Sequence, residues 1–88
     1  MLYQVIERFV PRYVGLNRHV CAKTFFGIAK REPRAWIAVG AHSVVPGRPI
    51  VSLVTESGLV AACYGLGWED MQAAWKEQDL NLEVRVQE

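Results

Sequence analysis

The stretch AWIAVGAHSVVPGRPIVSLVTESGLVAACYGLGW, residues 35–68, decides the fold of this chain, because Arg48 and Glu56 are its only charged residues. Residues 35–45 and 49–55 read as two strands joined by a turn at Pro46 and Gly47. Both are apolar on successive residues rather than strictly alternating, which is the pattern of strands whose two faces are both at least partly covered. VTESGLVAAC then reads as a hairpin with Gly58 at a left-handed turn position. The competing reading extends the next helix upstream through Val60 and Tyr64. The hairpin is favoured because Gly65 and Gly67 would each weaken a continuous helix.

Working outward toward the C-terminus, Trp68, Met71 and Trp75 fall on one helical face. Glu69 and Asp70 lie in the first turn and Lys76 in the last, each suited to the helix dipole. A helix over residues 68–78 follows. Beyond it Leu80, Leu82, Val84 and Val86 alternate with polar residues, predicting a strand with one buried and one wet face. Toward the N-terminus, MLYQVIERFV mixes β-branched and aromatic residues and reads as a first strand that stops at Pro11. After the PRYVGLN connection, Asn17 can cap a helix over residues 18–31, with Cys21, Phe25 and Ile28 on its apolar face. Gly27 costs about 1 kcal/mol inside a helix, so an extended alternative for residues 24–29 stays open.

In order, these elements give strand, helix, strand, strand, an optional extra strand, helix, strand. The expected class is α+β, a ferredoxin-like β-α-β-β-(β)-α-β domain over residues 1–88, with an antiparallel sheet carrying two helices on one face. The other face would be bare. The central strands carry apolar residues for both faces, so a sheet-to-sheet homodimer or a ligand is expected to cover it.

The opening MLYQVIERF and the ending AAWKEQDLNLEVRV, about a quarter of the chain, resemble the first and last elements of small bacterial ferredoxin-like proteins of the dimeric α+β barrel kind. The resemblance implies a homodimer with a pocket between sheet and helices; some members of that group are cofactor-free oxygenases. SGLVAACYGLG departs from the pattern, and no functional residue carries across.

Composition narrows the function classes. At 88 residues and 51% hydrophobic, with 22% charged, the chain is a small packed domain rather than a disordered one. A chain of this size buries only ~60–65% of the surface its unfolded form exposes, so its stability is expected to be thin. The net charge of +1 conceals polarity. Eight of the ten basic residues lie at or before Arg48, while seven of the nine acidic ones lie after it. The basic residues are scattered and the sequence pI is about 7.8, so nucleic acid ranks below a complementary protein surface as a partner. Residues 35–47, the longest uncharged stretch, are too short to span a bilayer. The N-terminus has no secretory pattern, and the chain is expected to be cytoplasmic.

No catalytic or metal-binding motif stands out, and no cofactor is expected; the balance leans away from an enzyme. Cys21 and Cys63 read as small core hydrophobes, favoured over a disulfide. His19 reads as solvent-exposed, and His42 as a strand-end side chain with a backbone partner rather than a catalytic base. The ligand-binding candidates are Trp36 with its neighbour Arg34, together with His42 and Tyr64, taken as lining a cavity or sheet face for a small apolar or aromatic molecule. A protein-interaction module of the inhibitor or immunity type, docking one target through its polarised surface, is the alternative.

Overall fold

The computed structural model describes residues 2–40 and 50–86. Its elements are β1 (Tyr3–Glu7), β2 (Val10–Gly15), α1 (Arg18–Ala29), β3 (Trp36–Val39), β4 (Ile50–Thr55), β5 (Gly58–Tyr64), α2 (Trp68–Glu77) and β6 (Val84–Val86). The expected turn at Pro46 and Gly47, and His42 with it, lie outside the described residues.

The ferredoxin-like antiparallel sheet is overturned. One six-stranded mixed sheet has the order β2-β1-β5-β4-β3-β6, antiparallel throughout except that β3 and β6 run parallel. Two local features produce this. The segment expected as one strand up to Val10 turns back at Arg8 and Phe9, so the chain opens with a β1–β2 hairpin instead of a lone strand. Pro11 does not end the strand, because β2 is an edge strand, where proline is tolerated, and a bulge relaxes the register beside it. At the other end, α2 carries the chain from β5 over to the far edge, and such a helical crossover returns the strand parallel.

The hairpin reading of VTESGLVAAC matches β4 and β5. Gly58 takes φ +122°, and the Thr55 hydroxyl donates to the Gly58 carbonyl and accepts from the Ser57 N–H. β6 is shorter than the alternating sequence predicts. Its partner β3 has four residues, so Leu80 and Leu82 pack against the core without joining the ladder.

Helix α1 starts where Asn17 accepts hydrogen bonds from the His19 and Val20 N–H groups at 3.1 Å. Its buried face, including Cys21, Phe25, Phe26 and Ile28, meets strand rows that the register aligns. Val5, Cys63 and Val51 form one such row, and Ala61, Leu53 and Ile37 the next. Met71 and Ala74 bring α2 into the same core. The two helices meet through aromatic rings: Phe26 lies 5.5 Å from Trp75 and 6.4 Å from Trp68, edge-on to the latter. Such pairs contribute about 0.5–1.5 kcal/mol beyond the area they bury.

Candidate binding face

Strand side chains alternate between faces, so the residues between the core rows point away from the helices. The register aligns Ile6, Ala62, Ser52, Ala38 and Arg85 straight across five strands. One flanking row holds Gln4, Tyr64 and Ile50, and the other holds Leu59, Val54 and Trp36. The half-buried Ile6, Trp36, Ile50, Val54 and Tyr64 do not belong to the core cluster or pack against it. This is a second apolar surface, separate from the core.

Ala62, Ser52 and Ala38 are 2%, 9% and 8% exposed, a row of small residues between two rows of mostly larger ones. At one side a hollow of about 250 Å³ is lined by Ile6, Phe9, Leu59, Ala62 and Tyr64, with Arg8 at its rim. Phe9 is 98% exposed and Leu59 61% exposed. At the opposite margin the Arg85 guanidinium sits 4.1 Å from the centre of the Trp36 ring and bonds Glu83 at 3.1 Å.

The four residues singled out from sequence are not gathered at one point. Trp36 and Tyr64 share the open face but stand in opposite flanking rows, four residues apart along β4, or about 13 Å. Arg34 is exposed and lines a different hollow with Arg8, Glu32, Thr55, Glu56 and Ser57. The cation on Trp36 is Arg85 instead. His42 lies outside the described residues. Sequence reasoning missed Ile6, Phe9, Leu59 and Ala62. Phe9 carried no readable signal, because MLYQVIERFV reads as one strand and the turn at Arg8 and Phe9 shows only in the pairing of β1 with β2.

Several basic residues are drawn onto carboxylates on the helix side. Glu7 takes Arg12 at 2.9 Å, Arg31 at 3.8 Å and Arg8 at 4.0 Å, and Arg8 also reaches Glu32 at 3.4 Å. Cys21 and Cys63 are buried in the core with their sulfurs 3.5 Å apart. Among the described residues no group of three or more His, Cys, Asp or Glu side chains is placed to hold a metal ion. No described helix is long and apolar enough to cross a membrane. Among the described residues the arrangement offers apolar contact area rather than a converging acid, base and nucleophile. No protein-family model, curated protein or solved structure matches this chain.

Proposed function

We propose that this protein is a homodimeric binding module in which two copies pack open sheet face against open sheet face, and the hollow beside Phe9 and Tyr64 takes a small apolar or aromatic molecule. The observation that carries the reading is the second apolar surface itself: Ile6, Leu59, Ala62, Tyr64, Val54 and Trp36 share one side of the sheet, with no described element over them. Contiguous apolar faces of this extent mark interaction sites in soluble proteins. Size supports a second copy as the occupant. The molecule measures 31 × 25 × 25 Å, so one broad face is comparable with the ~800 Å² per partner that a stable interface buries. A two-fold dimer is also the commonest way for one chain to cover a self-complementary patch.

The test is molar mass by sedimentation velocity or light scattering across a concentration series. Twice the 9.9 kDa chain mass is expected at micromolar concentration. Leu59→Lys should give a folded monomer, since the site is 61% exposed in the single chain and the new charge enters a two-fold interface twice. A wild-type monomer at every concentration would overturn the dimer. The face would then be left for a different protein, the reading that the polarised charge distribution favours.

A further inference from the structure

The apolar core holds a second chemical feature that the open face does not use. Cys21 lies in α1 and Cys63 in the central strand β5, 42 residues apart in sequence, and both are 0% exposed with a sulfur-to-sulfur distance of 3.5 Å. These are the chain's two cysteines. A disulfide needs ~2.05 Å between sulfurs, so closure asks for a movement of about 1.5 Å, within reach of small rotations about the two Cα–Cβ bonds.

We propose that Cys21 and Cys63 form a dithiol/disulfide pair, a covalent modification site that cross-links α1 to β5 when the chain meets a low-molecular-weight disulfide. The exchange balances in two steps. The thiolate of either cysteine attacks one sulfur of the reagent, forming a mixed disulfide and releasing one thiol. The thiolate of the other cysteine then attacks that protein sulfur and expels the second thiol. One protein S–S bond replaces two S–H bonds, two electrons pass to the reagent, and its two halves leave as thiols carrying the protons.

In the closed core the contact between the two thiols lowers Cys21 and raises Cys63, and burial opposes the ionisation of both. Either sulfur can donate the hydrogen bond between them, so either can be the one that attacks first once it is exposed. Because both are fully enclosed, the reagent reaches them only when α1 lifts from β5 or before the chain has folded. The cross-link then constrains a long loop of the unfolded chain, which is the condition under which a disulfide stabilises most.

The experiment equilibrates the full chain with glutathione redox buffers, once in native buffer and once in strong denaturant. Trapped species are read by mass spectrometry for the loss of two hydrogens. If the fold already holds the sulfurs together, the equilibrium constant for closure should be about 100-fold larger under native conditions, and the oxidised protein should melt about 15 °C higher than the reduced one. With two cysteines in the chain, an intramolecular product can only be the Cys21–Cys63 bridge, so no variant that might fail to fold is required. A native-to-denatured ratio below tenfold would overturn the proposal, as would glutathione adducts or disulfide-linked dimers as the native end product.

Discussion

Phe9 occupies a left-handed conformation, φ 70°, directly after Arg8 at φ 46°, in the two-residue turn between β1 and β2. Turns with two positive φ angles favour Asn-Gly or Asp-Gly, because a side chain meets the backbone there at a cost of about 1–2 kcal/mol. Phe9 recovers nothing by packing within the chain, being 98% exposed. Phe9→Gly is therefore expected to stabilise the single chain by ~0.5–1 kcal/mol, after allowing for the greater freedom of glycine in the unfolded state. The check is a higher urea midpoint with an unchanged slope, and an unchanged or lower midpoint would show that the ring is held by contacts within the chain. Gly27 is the converse. It lies exposed inside α1 with no atom within 4 Å of where a Cβ would sit. Gly27→Ala should raise stability by ~0.5–1 kcal/mol, read as a Tm higher by several degrees. The cost of Gly27 was legible from its place in a helical pattern. That of Phe9 was not, because Arg-Phe is not a turn pair and only the pairing of β1 with β2 forces the backbone there.

At the scale of elements, legibility followed how one-sided each segment is. Trp68, Met71 and Trp75 leave α2 a single apolar face, and the helix forms within a residue of its predicted span. Asn17 marked the start of α1 by the same logic. β4 and β5 gave no such guidance, since Ile50 to Val54 and Leu59 to Cys63 are apolar or small on both sides. Which residues face the helices is fixed by register, including the bulge between Leu53 and Val54, rather than by composition. The ferredoxin-like expectation failed at this level: with Pro11 read as an end, nothing local disclosed the extra edge strand that reorders the sheet. The contact between helices can be tested at Phe26, which is fully buried and meets both Trp68 and Trp75. Phe26→Ala should cost ~3–5 kcal/mol, by lost burial together with the cavity left behind. The Trp68–Trp75 pair, 5.7 Å apart, should loosen with it. Denaturant unfolding supplies the first quantity and near-ultraviolet circular dichroism the second. A loss under 1 kcal/mol would mean that α1 and α2 are not held together through this ring.

For the whole molecule, the charge polarity of the sequence becomes a polarity of the fold. Arg12 lies on β2, and Lys23 on α1, which packs on β1, β2 and β5. Glu69, Asp70 and Glu77 lie on α2, and Glu83 leads into β6 at the opposite edge of the sheet. The two sides touch at Arg18 and Asp70, 3.7 Å apart but both well exposed, so that link contributes little. What remains to stabilise so small a domain beyond its single core is the open face. If two copies share that face, folding and association are one equilibrium, and the melting temperature must depend on protein concentration. For two 88-residue chains unfolding together, each tenfold rise in concentration should lift Tm by about 3–4 °C, given ~2 cal/mol/K of unfolding entropy per residue. Leu59→Lys should flatten this dependence and lower Tm toward that of the isolated chain. Phe9→Gly should flatten it in part while raising the low-concentration limit, because the same residue strains the monomer and edges the shared face. A wild-type Tm constant over two decades of concentration would instead mean that the core beneath α1 and α2 suffices alone, leaving the open face unpaired between copies.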